Sequence, residues 1–205
     1  VFNTICQGAE MEHLLRRMPV VLANGTLALP DAYSVMVDDC RGVEMAVEHL
    51  VKTGRRNLYY IKDKSTDSAA AKAKGFLSGM AGAGLDAEGH ILETGETLED
   101  GIRAVQQLLA DGIHPDGILC GEDLTAAGVL KALLRAGVRV PEETAVVGYD
   151  NSTYARLCEP ELTSVDNKPE QVALLCVQLL QSRIEHGEDY SSVTLQPELI
   201  QRQSS

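Results

Sequence analysis

Short, uninterrupted apolar runs alternate along this chain with longer segments in which apolar residues recur at helical spacing. Gly117–Cys120 and Ala145–Gly148 are typical of these runs, because neither alternates between polar and apolar residues. Strands that are buried on both faces have this pattern, and helices of about 10–15 residues between them predict parallel βαβ units. The sequence therefore predicts an α/β fold with parallel sheets flanked by helices. The other predicted strands are Val20–Ala23, Val35–Val37, Leu58–Ile61, Ile91–Glu93, Val193–Leu195 and Leu199–Ile200.

The segments between the strands carry an apolar face and end at recognisable signals. An early helix places Val43, Val47 and Leu50 on one face, and Gly54 stands where a glycine commonly ends a helix. Pro169 is well placed to open the last long helix, because a first-turn proline loses no hydrogen bond. With 205 residues, the chain can form one large domain or two small ones.

Charge and cysteine content limit the partners that we expect. The formal net charge is −12 at pH 7, and such a surface repels phosphate backbones, so this chain is not expected to hold DNA by itself. The 5 cysteines are odd in number and widely spaced, which argues against a disulfide framework or a zinc site and suits a reducing cytoplasm. No apolar run approaches the roughly 18 residues needed to cross a bilayer, so no membrane partner is expected.

The sequence lacks the motifs of the common enzyme classes. It has no Gly-x-Gly-x-x-Gly after a strand, no Walker-type Gly-Lys-Ser/Thr and no Gly-x-Ser-x-Gly. Its 5 histidines are scattered and form no His-x-x-x-His pair, so a metal site has no support. An α/β enzyme would need a nucleophile or a cofactor loop, and neither is found. We therefore expect no catalytic residue, no metal and no cofactor.

Polar side chains stand just after many of the predicted strands. The carboxyl ends of parallel strands meet at one rim, where a small polar ligand would need a ring of donors and acceptors. Each residue alone also has an ordinary structural interpretation: Ser68 and Asp123 could be helix N-caps, and Asp150–Asn151 could be a turn. The residues concerned are Asn24, Thr66, Asp67, Ser68, Lys72, Glu96, Glu122, Asp123, Asp150, Asn151 and Asn167.

Four stretches in the last half of the chain follow one another in a specific order and spacing: Asp116–Gly128, Gly137–Glu143, Val147–Asn151 and Pro160–Val165. Together they resemble the LacI/GalR family of bacterial transcription regulators. Earlier pieces match the same family, so the resemblance covers essentially the whole chain. These pieces are Pro19–Leu22, Val37–Asp39, Ala46–Leu50, Gly54–Arg56 and Lys74–Phe76.

The resemblance implies a two-lobed sensor with the periplasmic-binding-protein type I fold. It predicts that residues 1–56 and 167–190 belong to an N-terminal lobe, and that residues 57–166 and 191–205 form a C-terminal lobe. Family members join such a sensor to a small helix-turn-helix headpiece. We expect that headpiece, together with the first elements of the N-terminal lobe, to lie outside this sequence, so that the N-terminal lobe is truncated here.

The resemblance also implies which residues meet a ligand. Lys72 stands where the family carries a basic residue that grips the effector, usually an arginine whose bidentate fork lysine cannot reproduce. Asp150 corresponds to the aspartate of the family's Gly-Tyr-Asp and is expected to accept hydrogen bonds from the ligand. Glu122 occupies a position that is often Asn or Asp, and Glu96 replaces an aromatic residue. The implied ligand set is completed by Asn24, Thr66, Ser68 and Asn167.

The predicted function is a switch rather than a reaction. A neutral polyhydroxylated effector, such as a sugar or polyol, would bind between the lobes and favour their closure. Closure would shift a homodimer interface and change how the headpieces sit on operator DNA. The helix face around Leu130 and Leu134 could form that interface, or it could be internal core. The alternative is a periplasmic sugar-binding protein of an ABC transporter, which shares the fold but would need a signal sequence.

Overall fold

The computed structural model describes residues 2–3, 8–25, 33–62, 66–186 and 191–205. Strands and helices alternate along most of the chain, as the apolar pattern predicts. In chain order they are β1 (Phe2–Asn3), α1 (Gly8–Leu15), β2 (Val21–Ala23), β3 (Tyr33–Val37), α2 (Asp39–Lys52), β4 (Leu58–Lys62), α3 (Asp67–Gly82), β5 (Ile91–Glu93), α4 (Leu98–Ala110), β6 (Gly117–Cys120), α5 (Asp123–Arg135), β7 (Ala145–Tyr149), α6 (Thr153–Leu157), β8 (Thr163–Asp166), α7 (Pro169–His186), β9 (Val193–Leu195) and β10 (Glu198–Ile200).

The chain divides into two compact units. The first unit comprises Val1–Asp38 and Lys168–Gln196, and the second unit comprises Asp39–Asn167 and Pro197–Ser205. In the first unit, four parallel strands pair in the order β1-β2-β3-β9. Helix α1 packs against Leu22 and helix α7 packs against Val21. Neighbouring residues of a strand point to opposite faces, so the two helices cover opposite faces of this sheet.

The second unit contains a six-stranded sheet in the order β10-β8-β7-β6-β4-β5. All its pairs are parallel except β10 with β8, which is antiparallel. One apolar cluster joins the sheet to α4 and α5 through residues such as Val105 and Val129. A second cluster joins it to α2 and α3 through residues such as Val47 and Phe76. The predicted α/β architecture, with mainly parallel sheets flanked by helices, is confirmed.

The unit boundaries differ from the predicted lobe boundaries at two places. The first unit ends at Asp38 rather than near residue 56, because the apolar face of α2 packs on β4 and β7 in the second unit. Strand β9, which was predicted to lie in the C-terminal lobe, pairs with β3 in the first unit. A helix pattern shows which face is buried but not which sheet buries it, so tertiary packing decides both assignments.

The strand order of the second unit reverses next to β4. From β4 the chain runs out to the edge strand β5, returns to β6 on the other side of β4, and continues through β7 to β8. Ligands of open α/β sheets bind in the crevice that such a reversal leaves at the carboxyl ends of the strands. The residues that follow β4, β6, β7 and β8 are therefore expected to line a ligand site.

Candidate functional site

Lys72 is a buried cation at the carboxyl end of the second unit's sheet. It lies on α3, which follows β4, and only 5% of it is exposed. Its ammonium group donates a hydrogen bond of 2.8 Å to the carbonyl oxygen of Gly121, just after β6. The same Nζ lies 4.2 Å from the centroid of the Tyr149 ring at the end of β7. A carbonyl dipole and an aromatic face both stabilise a buried ammonium, so Lys72 joins three strand ends.

Asp39 accepts two short hydrogen bonds in the same region, although it was not among the predicted ligand residues. Its Oδ1 accepts from the Tyr149 hydroxyl at 2.5 Å, and its Oδ2 accepts from the Ser68 hydroxyl at 2.6 Å. Burial and the adjacent Asp39 charge raise the pKa of the Tyr149 phenol, so Tyr149 remains a neutral donor. The Ser68 hydroxyl, which was predicted to meet a ligand or to cap α3, is engaged by Asp39.

Asp150 follows β7 directly and is the central carboxyl group of this rim. Its φ of 100° lies in the left-handed region, which aspartate and asparagine tolerate better than most residues. Its Oδ1 accepts a hydrogen bond of 2.8 Å from Nδ2 of Asn167. Burial raises the pKa of Asp150 to about 7, although the nearby Lys72 charge lowers it. Three further acidic neighbours add to the rise: Asp123, Glu122 and Asp39.

Asn167 follows β8 and presents an acceptor that lacks a donor. Its Nδ2 is used by Asp150, whereas its Oδ1 is buried without a hydrogen-bond partner among the residues that the structure describes. A buried carbonyl oxygen without a donor is unfavourable by about 1–3 kcal/mol. The carboxylate of Asp150 and the carbonyl of Asn167 therefore form a pair of acceptors suited to a ligand that brings donors.

Asp123 is fully buried and has a structural role. It accepts hydrogen bonds from the backbone N–H of Ser152 at 2.6 Å, the Ser152 hydroxyl at 2.9 Å and the Ser164 hydroxyl at 2.6 Å. It thereby holds the loop after β7 to β8, and burial raises the pKa of its carboxyl group. Glu122 occupies the N-cap position of α5 without a side-chain cap hydrogen bond, and its charge acts on Asp150.

The remaining predicted ligand residues lie elsewhere. Thr66 is exposed and caps α3, because its hydroxyl accepts from the backbone N–H of Ala69 at 3.0 Å. Glu96 follows the edge strand β5, which is separated from β7 by β4 and β6. Asn24 follows β2 in the first unit and is exposed. Of the predicted set, the structure brings together Lys72, Glu122, Asp150 and Asn167, with Ser68 attached through Asp39.

Asp39 and Tyr149 are the two residues that sequence reasoning missed. Both lie inside stretches that carried the family resemblance, Val37–Asp39 and Val147–Asn151, and Tyr149 directly precedes the predicted ligand residue Asp150. A signal for them was therefore present. Their hydrogen bond, however, joins positions 110 residues apart in sequence, which no local pattern shows.

Other kinds of site find no support in the described part of the chain. No group of three or more His, Cys, Asp or Glu side chains there could hold a metal ion. The cysteines among these residues are free thiols: Cys40, Cys120, Cys158 and Cys176. No helix in the described ranges is long and apolar enough to cross a membrane.

A family model described as a periplasmic binding protein-like domain matches residues 47–205. The chain belongs to this family. It is 31% identical over 193 residues to the HTH-type transcriptional repressor PurR of Escherichia fergusonii, covering 92% of this chain and 57% of that protein. It is 29% identical to a solved LacI transcriptional regulator from a Rhodococcus species, with a TM-score of 0.90 over 98% of this chain and 75% of that one. A solved CelR–cellobiose complex is 28% identical, with a TM-score of 0.83 over 90% of this chain and 58% of that one.

These relatives confirm the resemblance to LacI-type regulators and the periplasmic-binding-protein-like fold. They are transcription regulators rather than enzymes, and they give the transporter alternative no support. The chain spans 57% of the length of PurR and of a second HTH-type transcriptional regulator, from Lachnoclostridium phytofermentans, the part that corresponds to their effector-binding domain.

Proposed function

We propose that this chain senses a small polar effector for a LacI-type transcription regulator. Effector binding would change the operator affinity of a helix-turn-helix segment outside the chain, as named in its relatives. The observation that carries the proposal is the acceptor pair of Asp150 and Asn167 at the strand ends of a domain of this family. The net charge of −12 supports assigning DNA contact to another segment. A regulator that acts on DNA accords with the predicted cytoplasmic location.

A neutral polyhydroxylated ligand fits this rim better than an anion. The Lys72 ammonium is held by Gly121 and the Tyr149 ring, and the charges around Asp150 are mainly acidic. Sugar hydroxyls can donate to Asp150 and to Asn167 at once, which would satisfy the buried Oδ1 of Asn167. Hydrogen bonds to a charged acceptor contribute about 1.5–3 kcal/mol. The CelR–cellobiose complex gives one sugar-bound relative of the same fold.

We also propose that the domain works as a homodimer. Leu130, predicted for the interface or the core, is 2% exposed and belongs to the core. Leu134 on α5 is 44% exposed, and Tyr154 and Leu157 on α6 are 48% and 75% exposed. Large apolar side chains left open to water in this way are typical of the centre of a protein interface, so a second copy of the chain is the proposed partner.

A thermal-shift screen tests the proposed ligand class. The panel holds neutral sugars, polyols, nucleobases and sugar phosphates, and each compound is tested on the wild type and on Asp150→Ala. Ligand at about 100 times its Kd stabilises the folded state by roughly 2.7 kcal/mol, which raises Tm by several degrees. We expect a neutral sugar or polyol to raise the Tm of the wild type and not that of the variant. A panel in which only anionic compounds raise Tm would contradict the proposed ligand class.

A further inference from the structure

The backbone passes between the two units at three places, and two of these crossings are tied to the same strand end. The first crossing lies between Asp38 and Asp39, and the second lies between Asn167 and Lys168. Asp39 accepts a hydrogen bond from Tyr149, and Asn167 donates one to Asp150. The residues that flank the two crossings in the second unit are therefore bonded to two consecutive residues of the β7 end.

We infer that the end of β7 couples the ligand site to both crossings, with Tyr149 anchoring the first and Asp150 anchoring the second. This inference rests on the proposed function of the rim as an effector site. It makes Asp39 and Asn167 positioning residues, since each sets the course of the backbone as it enters or leaves the second unit. The two hydrogen bonds share no side chain, so each can be removed without deleting the other.

Strand β7 is a rigid support for such anchors. All five of its residues are buried, and it is paired on one side with β6 and on the other with β8. The pairing extends past the strand end, because the backbone N–H of Asp150 donates to Val165 at 2.8 Å. A central strand that is bonded on both sides moves little, so it holds the groups bonded to its end in fixed positions.

The first anchor fixes the start of α2. Asp39 is the first residue of this helix, where a carboxylate is favoured by the helix dipole. Its two oxygens accept from hydroxyls on β7 and α3, at 2.5 Å from Tyr149 and 2.6 Å from Ser68. Hydrogen bonds to an ionised acceptor are stronger than neutral ones, so these two hold the backbone firmly where it enters the second unit.

The second anchor lies next to a strained residue. Lys168 has a φ of 51°, in the left-handed region that a non-glycine residue adopts only when its surroundings hold it there. Its carbonyl accepts from the backbone N–H of Val172 at 3.0 Å, which closes the first turn of α7. A ligand that donates to both Asp150 and Asn167 would hold the Asn167 amide in place and so reduce the motion of the backbone at this crossing.

Hydrogen exchange of the whole 205-residue chain, measured by mass spectrometry without ligand, tests the two anchors separately. Asn167→Ala should speed exchange in residues 167–173 roughly tenfold or more, since one hydrogen bond to a charged group is lost, and leave residues 38–45 unchanged. Tyr149→Phe should speed exchange in residues 38–45 and leave residues 167–173 unchanged. Asp39→Ala removes the same Tyr149–Asp39 hydrogen bond by deleting its acceptor. Val105→Ala, in the core between α4 and the sheet, is the control for general destabilisation.

The crossed pattern is the result that supports the inference. Equal acceleration at both crossings in every variant, as in Val105→Ala, would overturn it, and so would unchanged exchange at both. Because no ligand is present, failure of this experiment is distinct from failure of the ligand screen, which would overturn the proposed function instead.

Discussion

Because Asp150 is buried, the stability of the folded chain should depend on pH even without a ligand. Burial raises the pKa of this carboxyl group from its usual 3.8 to about 7. The folded chain therefore holds the proton more tightly than the unfolded chain does. The stabilisation that this provides is fully present below pH 3.8 and is lost as the pH rises through about 7. Asp150→Asn is neutral at every pH and retains an acceptor for Asn167, so it should escape this loss.

The size of the effect follows from the two pKa values. Each pH unit between 3.8 and about 7 corresponds to about 1.4 kcal/mol, so the ionised group lowers the stability of the folded state by roughly 4 kcal/mol at pH 8. At pH 5 the same group lowers it by roughly 2 kcal/mol, because it is still largely protonated in the folded chain. The advantage of Asp150→Asn over the wild type should therefore grow by roughly 2–3 kcal/mol between pH 5 and pH 8.

Urea unfolding at several pH values measures this difference. Tyrosine fluorescence can follow it, because the chain has no Trp and three buried tyrosines lie in the second unit: Tyr59, Tyr60 and Tyr149. Asp111→Asn is the matched control for the loss of one acidic side chain, since Asp111 is exposed at the end of α4. A difference for Asp150→Asn that does not change with pH, or a variant less stable than the wild type at pH 8, would refute the reasoning.

Three further substitutions test the packing, the buried cation and the proposed dimer. Gly75→Ala should lower the stability by roughly 1–3 kcal/mol in thermal unfolding, because a methyl group there would overlap the backbone of α2. Gly82→Ala, in open space on the same helix, should instead raise it by up to about 1 kcal/mol. Lys72→Met should lower the free energy of unfolding by roughly 1–3 kcal/mol, because the hydrogen bond to Gly121 is lost. It should also raise the pKa of Asp150, measured by carboxyl NMR, since the Lys72 charge lowers that pKa. Leu157→Asp should shift sedimentation from dimer to monomer while circular dichroism still shows a folded chain, because the side chain is 75% exposed in one copy. An unchanged dimer would exclude this face.

Local pattern was sufficient for the fold but not for the assignment of every element. The runs Gly117–Cys120 and Ala145–Gly148 fall on β6 and β7, because burial on both faces leaves an unmistakable apolar signature. Helix α2 was also predictable as a helix, yet its place in the second unit depends on which sheet meets its apolar face. The antiparallel pairing of β10 with β8 is likewise a tertiary choice that a three-residue strand does not encode.

The candidate site was predictable where a residue's position along a strand decides its role. Asp150 and Asn167 lie at strand ends, and the parallel arrangement brings them together. Asp123 could not be distinguished from a helix cap in the same way. Its three hydrogen bonds come from Ser152 and Ser164, which reach it only once β7 and β8 are paired. The role of Asp39 similarly depends on partners brought close by folding.

Calorimetric titration of the chain with neutral sugars, cellobiose among them, tests the central claim most directly. The proposed sensor should bind at least one such compound saturably, and Asp150→Ala should weaken that binding by roughly tenfold or more, as expected for loss of a charged acceptor. Asp111→Asn should bind as the wild type does. Equal affinity in the wild type and Asp150→Ala, or no saturable binding of any polyhydroxylated compound, would contradict the account.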